Sequence, residues 1–325
     1  MEIRKHEDFA PLAMDWQRVL AVSRAGHIFS TLAWKQTWWD VFANEAQLHL
    51  LSLHHANKCV ALFPLLFAEG TLAFVGGQDL CDYLDFIIDK DHEEEAYEAL
   101  FTYLDGANWQ TIDLHSLQAD SPTLRSVPAW AESRGYAVEV QEEDVCPATN
   151  LPANWDDYLQ GLGKKDRHEL RRKMRRLAAA GEVSYHRVAD THDLAADIED
   201  FFRLHRLSRE EKARFMTPQM ERFFTEIVAR FLPENRLRLY FMSVEGKRVA
   251  AVICFDEGKD LWLYNSGYDP AYASLSVGLL LKAFCVQQAI AEGKKRFDFL
   301  RGREPYKYDL GGKDIPIYRC LVRRS

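Results

Sequence analysis

The chain has 325 residues, 47% hydrophobic and 12% aromatic, enough apolar material for two packed domains of ordinary size. Its longest apolar runs, Val60 to Ala68 and Ser276 to Phe284, fall well short of the ~20 residues of a spanning helix, so no membrane span is predicted. The formal net charge of −8 argues against a general nucleic-acid binder.

The first residues, MEIRKHEDFAPLAMDW, carry charges where a signal peptide has its apolar centre, and a cytoplasmic location is expected. A helical pattern follows over Ala33 to Phe42, with Trp34, Trp38 and Trp39 at helical spacing; these read as core, although such rings also stack on sugars. Leu48 to Leu66 then reads as two strands joined by a tight turn at Asn57, and a further turn at Glu69-Gly70 leads into a third strand, TLAFVGG. Asp82 and Asp85 come just after the Gly-Gly turn. A helix over about Glu93 to Leu104 precedes the short strand TIDLH, which contains Asp113. This half closes near Val145. The segment CPATNLPANW, with two prolines, suits a linker, giving expected divisions at 1–145, 146–163 and 164–325.

The same plan then recurs. Leu237 to Phe255 overlays Leu48 to Leu66 at a constant offset of 189, with Lys247 on Lys58, Val249 on Val60 and Gly246 on Asn57. A turn at Glu257-Gly258, the third strand DLWLYNSG with Asn265, a helix over about Leu275 to Glu292 and the strand RFDFL complete the copy, and Asp298 takes the place of Asp113. Each meander is also preceded by a helical region, the second over Gln219 to Phe231. A whole order of elements is repeated, which a few matching apolar positions would not explain.

Ahead of the second meander, Lys164 to Arg176 holds eight cations against Asp166 and Glu169, a local balance of +6 in an acidic protein. Leu170, Met174 and Leu177 supply its buried stripe, leaving Arg167, Arg171 and the other cations on the remaining face. Such a face is ordinarily only solvated; here its contrast with the whole chain points to an anionic partner. Downstream, LHRLSREEK puts His205 on a helix, where packing and substrate contact are both open. The run YASLSVGLLLKAF opens the long helix through Ser274 and Ser276, both good N-cap types, followed by Val277 and Gly278. Unpaired amides and the helix dipole at such a start suit phosphate oxygens. The corresponding helix of the first half begins in DKDHEEEAYEAL, whose acids repel phosphate. After RFDFL comes GREPYKYDLGG, placing Arg301, Arg303, Glu304, Tyr306 and Lys307 at a strand's exit, where loops commonly carry function.

Helix pair, meander, helix, strand: this order resembles the GNAT acyltransferase fold in duplicate. The segments NWDDYLQGLGKKDRHELRRKMRRL, FFRLHRLSREEKARF, SVGLLLKAF and FDFLRGREPYKYDLGG resemble its CelD-like acetyltransferase branch, associated with cellulose and exopolysaccharide biosynthesis and similar in architecture to the Fem-type peptidoglycan aminoacyltransferases. The resemblance covers nearly the whole chain. It implies an α/β (α+β) protein, a tandem GNAT-like fold with each half a mixed, largely antiparallel sheet flanked by helices. It also implies an acyltransferase that moves an acyl group, acetyl first, from acyl-CoA to an amine or hydroxyl of a saccharide-type or other anionic acceptor held between the halves. On that basis Ser274, Ser276, Val277, Gly278 and Asn265 are the cofactor-site candidates. GNAT enzymes hold the pyrophosphate on a loop of the form Arg/Gln-x-x-Gly-x-Gly/Ala; this chain keeps only Gly278 and has Ala273 in the cationic place. Glu304 is the expected proton acceptor, Tyr306 a donor to the leaving thiolate, and Asp298 a third catalytic candidate that its counterpart Asp113 also allows to be structural. Lys307, Arg301, Arg303, Asp82, Asp85, Arg167, Arg171 and His205 form the expected acceptor-binding set. An aminoacyl-tRNA donor, as in Fem-type enzymes, is the alternative, and a non-catalytic module of polysaccharide synthesis in peripheral contact with membrane-associated machinery is another.

Nothing in the sequence calls for a metal: there is no Gly-x-Ser-x-Gly elbow, Walker loop or His-Glu-x-x-His. Cys59, Cys81, Cys146, Cys254, Cys285 and Cys320 are scattered without ligand spacing and read as reduced, buried thiols.

Overall fold

The computed structural model describes residues 1–189 and 191–324. In chain order these form β1 (Glu2–His6), α1 (Ala13–Leu20), α2 (Leu32–Phe42), β2 (Gln47–His55), β3 (Lys58–Ala68), β4 (Thr71–Phe74), β5 (Ile87–Ile88), α3 (Glu93–Gly106), β6 (Thr111–Gln118), α4 (Thr123–Ser133) and β7 (Ala137–Val145). There follow β8 (Ala148–Asn150), α5 (Trp155–Gly161), α6 (Lys164–Ala178), β9 (Val183–Arg187), α7 (Leu194–Ser208), α8 (Glu210–Phe215), α9 (Pro218–Phe231), β10 (Leu237–Val244), β11 (Lys247–Glu257), β12 (Asp260–Tyr268), α10 (Val277–Ala291), β13 (Arg296–Asp298), α11 (Pro305–Asp309) and β14 (Pro316–Arg323).

The repeat read from the sequence is a repeat of backbone geometry. β3 and β11 start 189 residues apart, as do β4 and β12. The β2–β3 ladder slips between Leu53 and His54, and the β10–β11 ladder between Met242 and Ser243, again 189 residues apart. The hairpin turns match as well: Ala56 and Asn57 have φ of 48° and 65°, Glu245 and Gly246 have 48° and 73°, the doubly positive pattern that follows the twist of a tight hairpin. Beyond the meander, β6 runs parallel to β4 with Asp113 opposite Ala73, and β13 runs parallel to β12 with Asp298 opposite Trp262. Asp113 and Asp298 therefore share a register position. Both halves are mixed, mostly antiparallel sheets with flanking helices, as the resemblance implies.

Two departures concern boundaries. The compact units are Met1–Asp144 with the C-terminal segment from Pro316, and Val145–Ile315. The last strand thus joins the first unit's sheet, whose order is β1-β2-β3-β4-β6-β14-β7, with Cys320 opposite Leu114 and Val322 opposite Ile112. Its apolar residues Ile317, Cys320 and Val322 are fully buried there, and Arg319 grips Asp113 through two hydrogen bonds of 2.7 Å. The segment 146–163, expected as a linker, instead carries β8 and α5. Asn154 caps α5 by accepting from the Asp157 amide, and Tyr158 and Leu159 are buried in the second unit's core.

In the first unit, Phe9, Trp16, Val19, Leu50, Leu62 and Ile87 share one core cluster, with Trp38 and Trp39 packed against it; Trp34 is fully buried. Beside β6, His115 sits between Asp113 at 3.1 Å and Glu143 at 3.2 Å. Burial alone would depress the imidazole, but the hydrogen bonds it donates to the two carboxylates outweigh it and raise it to about 9. A group raised on folding contributes stability that is complete below its unfolded value, about 6.5, and lost as pH climbs through about 9. The first unit is therefore expected to weaken between pH 6.5 and 9, and His115→Gln to flatten that part of a urea-denaturation series against pH.

The second unit's sheet has the order β8-β13-β12-β11-β10-β9. Tyr240, Met242, Val252 and Cys254 join Val277, Leu281, Cys285 and Ala289 of α10 in one core cluster, while on the other face Tyr264 meets both Phe255 of β11 and Phe224 of α9. This is the period-two alternation of a sheet covered on both sides. All six cysteines are buried, and none is in a disulfide. Among the described residues no helix is long and apolar enough to cross a membrane, and no group of three or more His, Cys, Asp or Glu is placed to hold a metal.

Candidate active site

A cavity of about 300 Å³ opens in the second unit where α10 begins. Its wall is built from five places. Lys173 comes from α6, Ser208, Arg209 and Lys212 from the α7–α8 junction, Ser266 and Tyr268 from the end of β12, and Lys282 from the second turn of α10; Glu304, Tyr306 and Asp309 come from the loop that opens after β13. The junction is held against β12 by contact with bare backbone: a Cβ on Gly267 would lie 2.3 Å from the His205 nitrogen. Lys212 then reaches across to donate to the Ser266 carbonyl.

The start of α10 differs from its expected form. Ser276 is the N-cap residue but is left-handed, with φ of 59°, and its hydroxyl accepts from Arg176 of α6 at 3.0 Å. Neither it nor Ser274 caps α10 by its side chain, and Ser274 is not in the cavity wall. Leu280 is the first residue whose amide bonds back, to the Ser276 carbonyl at 3.0 Å, so the amides of Val277, Gly278 and Leu279 lack helical acceptors. These three residues line the cavity together with Ser276 and Ala273. Fixed N–H groups, the positive end of the dipole and the α6 cations Lys173 and Arg176 converge on one spot, a chemistry that suits anionic oxygens. Lys173→Ala combined with Arg176→Ala is expected to weaken inorganic pyrophosphate binding about tenfold by calorimetry, roughly the worth of one charge-assisted hydrogen bond.

The loop after β13 is organised from inside. Lys307 is 1% exposed and donates to the carbonyls of Leu300 at 2.8 Å and Arg301 at 2.5 Å while pairing with Glu304 at 2.9 Å. Two of its hydrogens and its charge are thus used within the loop, and the side chain does not line the cavity. Tyr158 of α5 donates to the Leu310 carbonyl at 2.7 Å, and the Gly312 amide returns to the Lys307 carbonyl at 2.8 Å. A Cβ on Gly312 would meet that same oxygen at 2.8 Å, which explains the final glycine. Glu304 and Tyr306 are left facing the cavity.

Of the other sequence candidates, Asp298 is fully buried, accepting from Arg296 at 2.7 Å and from the Leu300 amide at 2.8 Å; it shapes the strand exit and does not line the cavity. Arg303 pairs with Asp314 at 2.9 Å, and the Arg301 carbonyl serves Lys307. Arg167 closes the end of α5 by donating to Gln160 and Leu162 carbonyls, while Arg171 lies on the same helix as Lys173 without lining the cavity. His205 is 1% exposed between Phe201 and Phe215, and burial pushes it down to about 3: it is a packed histidine. Asn265 accepts from the Ser266 amide at 2.8 Å and stands outside the wall. Asp82 and Asp85 belong to the first unit, where Asp85 accepts from Ser121, Thr123 and the Phe86 amide and burial raises it to about 6.

Sequence reasoning missed Lys212, Lys282 and Arg209. Lys282 had a signal, being the one charged residue of a helix that reads VGLLLKAFCVQQAIA. It is 7% exposed, donates to the Gly278 carbonyl at 3.2 Å and lies 4.5 Å from the centre of the Tyr306 ring. Burial first, then the neighbouring Lys212, bring it down to about 7; burial and Arg209 bring Lys212 down to about 8. Burial also raises the Tyr306 phenol, with Glu304 adding to the effect.

Residues 164–308 match the family model described as an acetyltransferase (GNAT) domain. Among solved structures, the chain is similar to FemX (TM-score 0.66, 10% identity, covering 98% of this chain and 97% of that one). It is also similar to a conserved protein of unknown function from Bacteroides thetaiotaomicron (0.64, 10%, 99% and 100%) and to L-PGS from Bacillus licheniformis (0.60, 11%, 100% and 94%). At such identities the likeness is one of fold. No curated protein matches the sequence significantly. Residues 164–308 therefore make up an acetyltransferase (GNAT) domain.

Proposed function

We propose that the protein transfers an acyl group, acetyl in the simplest case, from acyl-CoA to an amine or hydroxyl of a small anionic acceptor of saccharide type. The observation that carries this reading is the start of α10: Val277, Gly278 and Leu279, whose amides lack helical acceptors, line a cavity ringed by Lys173, Arg209, Lys212 and Lys282 and bordered by Glu304 and Tyr306. Coenzyme A would bring an acyl group activated as a thioester and a pyrophosphate suited to the amides and to Arg176. The lysines and arginines replace the cation that Ala273 does not supply. An exopolysaccharide setting in the cytoplasm, with peripheral contact to membrane-associated machinery, belongs to the same reading and rests on the resemblance of the sequence segments.

A second donor is favoured by one feature, the eight cations of α6, which would suit the acceptor stem of an aminoacyl-tRNA. Thermal-shift titrations separate the two. Acetyl-CoA is expected to raise the melting temperature saturably; a rise with charged tRNA alone would move the assignment to an aminoacyl donor, and no response to either would favour a non-catalytic accessory module and contradict the proposal.

A further inference from the structure

We propose that Lys282 is the group that takes the proton from the attacking nitrogen, and returns it to the leaving group, in this cavity. The inference rests on the acyl-transfer reading above. A lysine on an apolar helix ordinarily runs its stem along the surface and keeps its ammonium in water. Lys282 does not: it is 7% exposed, its helix neighbours Leu281, Ala283, Cys285 and Val286 are core residues, and its nitrogen ends in the cavity wall against the Tyr306 ring. Among the described residues one carbonyl, that of Gly278, accepts from its three hydrogens.

The competing base is Glu304, and its carboxylate is already engaged by Lys307 at 2.9 Å. That lysine is itself 2% exposed along its side chain, so the carboxylate is committed to a buried ammonium that would otherwise stand uncompensated. Lys282 faces the reverse situation. The charged groups around it are Lys173 from α6, Arg209 and Lys212 from the α7–α8 junction, and Glu304 and Asp309 from the loop, with the Tyr306 phenol and the Cys285 thiol as neutral neighbours. Burial, Lys212 and Arg209 disfavour its charged form, Glu304 favours it, and the balance lies near neutrality, where a general base and acid works best.

The step balances without another reactant. The acceptor nitrogen attacks the acyl carbon and forms the C–N bond while its proton passes to the Lys282 amine. The C–S bond breaks with its electron pair on sulfur, and the Lys282 ammonium gives that proton to the thiolate. Amide, free thiol and neutral Lys282 remain.

The test has two readouts. In the full chain carrying lysine labelled with carbon-13 at Cε, one resonance, absent from Lys282→Arg, is expected to titrate near pH 7. Lys212→Met, which removes a repelling cation, should move that midpoint up, and Glu304→Gln, which removes an attracting anion, should move it down. With acetyl-CoA as donor and glucosamine 6-phosphate as acceptor probe, the acid limb of the kcat profile for thiol release should follow the same two opposite displacements. Lys282→Arg, which keeps charge and length, should lower kcat by about 10²-fold or more with acetyl-CoA affinity by calorimetry retained. Titration of Lys282 in the ordinary range near 10.4, or a kcat limb that ignores both neighbouring substitutions, overturns the inference while donor binding still stands. Failure of acetyl-CoA to bind the wild-type chain overturns the acyl-transfer reading first, and this inference with it.

Discussion

Gly267→Ala is expected to destabilise the second unit by about 3 kcal/mol, the upper part of the range for forcing volume into a packed site. The new methyl would sit 2.3 Å from the His205 nitrogen, 2.4 Å from its Cα and 2.4 Å from the Leu204 carbonyl carbon. All three are backbone atoms in the last turn of α7, so no side-chain rotation relieves them. The consequence reaches function, because α7 ends in Ser208 and hands on to Arg209 and Lys212; pushing it off β12 withdraws one wall of the cavity. Chemical denaturation should show the loss, and acetyl-CoA should bind more weakly at temperatures where the variant is still folded. Gly161→Ala is the matched control, since a Cβ there meets nothing within 4 Å; its stability should stay within about 0.5 kcal/mol of wild type.

Lys307→Met is expected to cost about 3–5 kcal/mol, the usual result of breaking a buried ion pair from one side. Two carbonyls, those of Leu300 and Arg301, would lose their donor, and Glu304 would lose the cation that holds it. Turnover should fall with stability, since the same three contacts set where Glu304 and Tyr306 project. A variant that melts like wild type yet no longer binds donor would instead make Lys307 a direct ligand, contrary to the geometry described for the loop.

Much of the architecture was legible because the repeat is encoded at the level of turns. Asn57 and Gly246 mark left-handed positions, and matching apolar strands flank both, so the order of elements and the equivalence of Asp113 and Asp298 follow from local patterns. The domain boundary was not legible in the same way. β14 is an apolar strand like any other until its partner is known, and pairing with β6 some 200 residues earlier is a long-range choice that the Arg319–Asp113 contact and burial of Cys320 decide.

The site shows a similar division. The α10 start and the Glu304–Lys307 loop were found because helix starts, glycines and clustered charges leave marks in sequence. Their inner workings were not: Ser276 turns left-handed and serves Arg176, and Lys307 spends its hydrogens on its own loop. Lys212 and Lys282 escaped because a lysine's ammonium reaches about the length of one helical turn, ~5.4 Å, from its backbone, and only the packed structure decides whether it ends in water or in a cavity. His205 and Asp298, conspicuous as single residues, proved to be held by the core.

The most direct measurement is amide nitrogen-15 NMR of the second unit's α10 in the full chain as coenzyme A is added. The account predicts saturable shifts at Val277, Gly278 and Leu279, weakened by the paired Lys173→Ala and Arg176→Ala substitutions. Unmoved amides at these three positions, whether coenzyme A binds elsewhere or not at all, would contradict it.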